Sequence, residues 1–104
     1  MKIDKTENKI VVTGDCYTLN YDAKRPMYVK ILYSNGIGAE FYVASACDRD
    51  DGIDELIELS APTLTESEKG AVMQFVGKTT LWDKVEYTFE LEAEQIVYGY
   101  KVYG

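Results

Sequence analysis

A chain of 104 residues forms one domain with a modest core, and a hydrophobic content of 46% excludes a disordered polymer. The formal charge of −7 leaves no Lys/Arg excess to displace counterions from a phosphate backbone, which argues against nucleic acid as a partner. Histidine is absent, so the commonest general base and the commonest zinc ligand are both missing.

Residues 1–8 contain no apolar run of the kind a leader peptide needs, and no stretch approaches the ~18 apolar residues of a membrane-spanning helix. A cytoplasmic location without membrane association is expected. Lys9 to Thr13 reads as a first short strand, and Gly14-Asp15 as a turn. Cys16 to Asp22 reads as a second strand, with Tyr17, Leu19 and Tyr21 on one face. Asp22 to Pro26 is a loop, because Pro26 has no N–H to give to a ladder and marks the start of the next strand.

Residues 26–45 form a hairpin around Asn35-Gly36, a strong turn signal between two β-rich runs. A two-residue loop would set Ile31 opposite Glu40 and mix charge into an apolar face. A three-residue loop, Ser34 to Gly36 with Gly36 left-handed, shifts the register by one. One face then carries Met27, Val29, Ile31 and Tyr33 against Ile37, Ala39, Phe41 and Val43. The other pairs Lys30 with Glu40 and Tyr28 with Tyr42. Opposite charges and paired aromatics across strands contribute roughly 0.2–1 kcal/mol each.

Residues 46–53 form a charged loop. Asp54 to Ser60 is ambiguous between a strand and one helical turn, since Leu56 and Leu59 share a helix face whereas Leu56 and Glu58 share a strand face. Pro62 to Lys69 reads as a strand end and a turn at Lys69-Gly70. Ala71 to Lys78 is a strand. From Thr80 to Glu92 the residues alternate: Leu81, Val85, Tyr87, Phe89 and Leu91 face one way together with Asp83, and Trp82, Lys84, Glu86, Thr88, Glu90 and Glu92 the other. Gln95 to Tyr103 is the last strand. Seven to nine strands with short connections and no long helix point to an all-β, antiparallel two-sheet sandwich, with a partly open barrel as the alternative. The whole of residues 1–104 is taken as one domain, either a fragment of a longer chain or a small complete protein.

Little chemistry is written into these segments. Asp48, Asp50, Asp51 and Gly52 fail the spacing of an EF-hand, which wants acids at positions 1, 3 and 5 and glycine at 6. The acidic loop from Asp48 to Asp54 is read as solvated, with a non-EF cation site as the other reading. Cys16 and Cys47 have no histidine to activate them and are expected as buried free thiols, with a disulfide between them as the alternative. Gly36, Gly38 and Gly99 form no phosphate loop. No catalytic residue, cofactor or metal is expected.

Nine tyrosines stand against three phenylalanines and one tryptophan, and Tyr suits surfaces that are half apolar and half wet. Tyr28, Tyr42 and Trp82 fall on outer faces, where sugar rings stack and proteins dock. Lys30, Glu40 and Lys84 lie beside them to orient hydroxyls. Tyr17-Thr-Leu-Asn-Tyr21, Arg25-Pro-Met-Tyr28, Leu81-Trp82 and the closing Val97-Tyr-Gly-Tyr-Lys-Val-Tyr103 give the chain a strand rhythm that resembles the galactose-mutarotase-like sandwiches preceding the catalytic barrel of some glycoside hydrolases. The resemblance covers roughly residues 9–103 and carries over no site residue. It implies a non-catalytic accessory module that packs on a catalytic domain of the same chain or binds carbohydrate weakly. The alternative is a small acidic interaction or inhibitor protein acting on a basic protein partner through residues 48–58 and 86–94.

Overall fold

Asn35-Gly36 turns the chain through the three-residue loop that the alternation requires. Gly36 has φ of +88°, its N–H donates to the Tyr33 carbonyl at 2.9 Å, and the Asn35 side chain accepts the Ile37 N–H at 3.0 Å. The flanking strands pair Lys30 with Glu40 and Tyr28 with Tyr42, as read from the sequence. A computed structural model of the chain describes residues 1–42, 48–49, 52–53 and 55–104, with only the backbone of Tyr42, Asp48, Arg49, Gly52 and Ile53.

Two antiparallel sheets of five strands each make up the fold, and neither closes into a barrel. The first is a meander of β1 (Lys2–Lys5), β2 (Lys9–Thr13), β3 (Tyr17–Asp22), β4 (Tyr28–Tyr33) and β5 (Gly38–Tyr42). A two-residue ribbon follows, β6 (Asp48–Arg49) with β7 (Gly52–Ile53). The second sheet holds β8 (Leu56–Leu59), β9 (Thr63–Ser67), β10 (Gly70–Thr79), β11 (Lys84–Glu92) and β12 (Ile96–Tyr103). Strand β10 pairs with β11 along one side and with β9 and then β8 along the other. Pro62 interrupts that outer edge. Ser60 bridges the break by donating its N–H to the Val76 carbonyl and accepting the Val76 N–H on its hydroxyl.

The strand number exceeds the expected seven to nine for local reasons. Strand β1 has one half-buried apolar residue, Ile3 opposite Val12, so alternation alone does not reveal it. Asp54 to Ser60 resolves as a strand over Leu56–Leu59, and the turn before β10 falls one residue early, at Glu68-Lys69. Val43, Cys47, Asp50, Asp51 and Asp54 lie outside the described residues, and with them the readings made of the acidic loop and the second thiol.

The sheets face each other across Val12, Leu19, Val29 and Ile31 on one side and Met73, Phe75, Val85, Tyr87, Phe89 and Leu91 on the other, all fully buried. Edge-to-face aromatic contacts cross the interface: Tyr21 to Phe75 at 5.5 Å and Phe41 to Phe89 at 5.8 Å between ring centres. The hairpin tip overshoots this core. Tyr33 and Ile37 are exposed although the register places them on the inner face. At the same end, the β2–β3 turn, whose Cys16 carbonyl accepts the Ser34 N–H at 3.0 Å, is stitched to the turn after β11. The Tyr17 hydroxyl donates to the Glu92 carbonyl at 2.6 Å, the Asp15 N–H to the Ala93 carbonyl, and the Cys16 thiol to the Glu94 carbonyl at 3.1 Å. Cys16 is a free thiol, half-buried rather than buried.

Burial raises the phenol pKa of Tyr17, Tyr21 and Tyr98, with smaller pushes from neighbouring Cys16, Glu92 and Asp15 at Tyr17, Asp22 at Tyr21 and Tyr100 at Tyr98. A raised folded-state pKa gives stability that is whole below the unfolded value, about 10, and is lost as pH climbs through the folded value. The urea midpoint should therefore fall as pH rises above about 10, with the tyrosinate absorbance of these residues appearing late. A midpoint unchanged between about pH 9 and 11 would contradict this.

Candidate binding face on the first sheet

Alternation puts the even-numbered residues of β3 and β4 on the outer face of the first sheet. Register lines them up as rows across the strands: Asp4, Val11, Asn20, Lys30 and Glu40 in one, with Lys9 opposite Asp22 and Tyr28 opposite Tyr42 beyond it. The β3–β4 connection shapes one end. Asp22 accepts the Lys24 N–H on its carboxylate at 2.9 Å and the Arg25 N–H on its carbonyl. This Asx turn swings Arg25 back over the sheet. Its guanidinium carbon lies 4.3 Å from the centre of the Tyr28 ring, and its Nη2 lies 3.1 Å from Glu40 Oε1. Lys30 Nζ is 3.9 Å from the other oxygen of Glu40. A cation over a ring and two cations on one carboxylate form a single linked cluster, partly exposed throughout.

Beside the cluster is an open cleft of about 280 Å³, lined by Lys9, Asn20, Asp22, Arg25, Tyr28 and Lys30. It continues past Asn20 and Lys30 into a shallower depression of about 430 Å³ over Leu32, Gly38 and Glu40. Leu32 is 54% exposed and stands opposite side-chain-free Gly38. The face thus offers an aromatic ring, a bare apolar patch and a rim of charged and amide groups, the mixture that a polyhydroxylated ligand with apolar ring faces requires.

Of the five residues expected at a binding site, Tyr28, Lys30 and Glu40 are brought together here. The backbone of Tyr42 lies directly opposite Tyr28. Trp82 belongs elsewhere. Strand β11 begins at Lys84, so period-two alternation does not reach Trp82. The tryptophan sits in the preceding turn, its backbone N–H donating to the hydroxyl of buried Thr79 at 3.0 Å, and it packs half-buried against the core. Lys84 is also remote, on the outer face of the second sheet, 3.0 Å from Glu86 and over the Tyr103 ring. The hydrogen bond to Lys84 holds the Glu86 carboxyl below the usual carboxylate range.

Arg25, Asn20 and Lys9 escape a reading of the hairpin alone. Their signal was present in the short Asp22-to-Pro26 loop, which makes β3 and β4 sequential neighbours and so sets Asn20 beside Lys30. Among the described residues, no group of three or more Asp, Glu, Cys or His is placed to hold a metal ion.

Fold and face together define an antiparallel two-sheet β-sandwich with a polar, aromatic-bearing cleft on one outer surface. Comparison of the chain with protein-family models, with curated proteins and with solved structures finds no match in any of the three.

Proposed function

We propose that this chain is a non-catalytic β-sandwich module associated with a carbohydrate-active enzyme, binding glycan weakly, or packing on a catalytic domain, through the outer face of its first sheet. The observation that carries the reading is the convergence of Tyr28, Arg25, Lys30 and Glu40 beside an open cleft. Strand rhythm similar to the mutarotase-like accessory sandwiches supports the association with such enzymes. An open cleft contributes shape and edge contact with little enclosure, which suits affinities in the weak range. Titration of oligosaccharides into the protein, followed by calorimetry, should show binding that Tyr28→Ala abolishes without loss of fold. Binding untouched by Tyr28→Ala removes this face from the reading, and no binding to any oligosaccharide removes its glycan half.

A second reading, as an acidic interaction protein, is favoured by the division of charge. Residues 1–42 carry Lys2, Lys5, Lys9, Lys24, Arg25 and Lys30 against Asp4, Glu7, Asp15, Asp22 and Glu40. Residues 55–104 carry Lys69, Lys78, Lys84 and Lys101 against Glu55, Glu58, Glu66, Glu68, Asp83, Glu86, Glu90, Glu92 and Glu94. The negative surface therefore belongs to the second sheet, and a basic partner would dock there with salt-sensitive association.

A further inference from the structure

The cleft on the first sheet is electrostatically the opposite of the molecule that holds it. In a chain of net charge −7, its rim has three cations, Lys9, Arg25 and Lys30, against the adjoining Glu40 carboxylate that Arg25 and Lys30 share and one further carboxylate, Asp22. That carboxylate is already engaged by the Lys24 N–H. Lys9 stands opposite Asp22 across the strands but makes no ion pair with a described residue. Arg25 is held at two points, with its guanidinium carbon over the Tyr28 ring and Glu40 on one Nη, while no described residue accepts from its remaining N–H groups. A guanidinium fixed in this way has already lost the freedom that a flexible arginine gives up on binding, and its planar fork matches a carboxylate in two-point contact.

Resting on the glycan reading above, we infer that the saccharide this cleft takes is an acidic one, carrying uronate carboxylates. The Tyr28 edge and exposed Leu32 meet the apolar face of a sugar ring, Asn20 meets its hydroxyls, and Arg25, with Lys30 or Lys9, takes the carboxylate. The acidic second sheet repels such a chain, which favours the cleft on the first, where cations outnumber carboxylates.

The test compares an oligogalacturonate with its methyl ester, which keeps the shape and removes the charge, by titration calorimetry of the full chain at low and at moderate salt. The acid form should bind, the ester about tenfold or more weaker, with acid-form affinity falling as salt rises. Arg25→Gln and Lys30→Gln should each erase most of the preference for the acid while leaving thermal unfolding unchanged, because both side chains are largely exposed. Equal binding of acid and ester overturns the inference but leaves the glycan module standing. Preference for the acid that survives both substitutions also overturns it, by placing the carboxylate elsewhere. Binding of neither form, nor of any neutral oligosaccharide, overturns both.

Discussion

Replacing Phe89 with alanine should lower unfolding stability by about 3–5 kcal/mol, the cost of emptying a fully packed aromatic site. Phe89 has no exposed surface. Its ring lies 4.8 Å from Tyr98 on the neighbouring strand, 6.3 Å from Phe75 and 5.8 Å from Phe41 on the opposite sheet. Removing it takes one partner from each of three aromatic contacts, and the cavity sits where both sheets meet. Domains of this size have roughly 5–15 kcal/mol of stability in all, so the loss is a large fraction of the total. Urea melts should show the midpoint falling steeply for Phe89→Ala. Phe41→Ala should cost less, since Phe41 is only half-buried at the rim. Tyr28→Ala, on the outer face, should cost least. If Tyr28→Ala matched Phe89→Ala, the outer face would be core and could not serve as a binding surface.

Gly70→Ala should be comparably damaging, by about 2–5 kcal/mol, through backbone strain and overlap rather than a cavity. Gly70 opens β10 at φ of +154°, paired with Glu92 on one side and Ser67 on the other. A Cβ there would run into the Leu91 carbonyl oxygen, far inside contact distance. The obstacle is main chain of the adjacent strand, so no rotamer change relieves it. The central ladder of the second sheet would have to part at its first rungs. Gly36→Ala provides the contrast. Gly36 also has positive φ, but a Cβ would have nothing within 4 Å. Its cost should be the conformational penalty alone, about 1 kcal/mol. Equal melting of the two variants would show that the β10–β11 ladder yields freely at Gly70.

The Gly36 turn and the β4–β5 register were legible because a hairpin is local. Its loop length, side-chain faces and cross-strand pairs all lie within twenty residues, and a one-residue slip would expose every apolar group it buries. The same holds for β11, where Val85, Tyr87, Phe89 and Leu91 are buried in strict alternation. Alternation fails where a strand has few apolar residues, as in Lys2–Lys5, and where the chain leaves the strand, as at Trp82. In the first case the partner strand supplies the reason for the element. In the second, a buried threonine captures the turn and rotates the indole toward the core.

What the sequence by itself determined is therefore the period-two pattern of its longer strands, the hairpin at Asn35-Gly36 and the all-β class, each a consequence of contacts close along the chain. The tertiary structure decided which outer face bears a site. Tyr28 and Trp82 have the same claim in the sequence, yet Trp82 packs half-buried against the core while Tyr28 stands beside the cleft, because Asp22 folds the preceding turn and lays Arg25 across its ring. That contact joins groups from a turn, from β4 and from β5. It depends on strand order and on the geometry of the turn, neither of which a residue-by-residue alternation encodes.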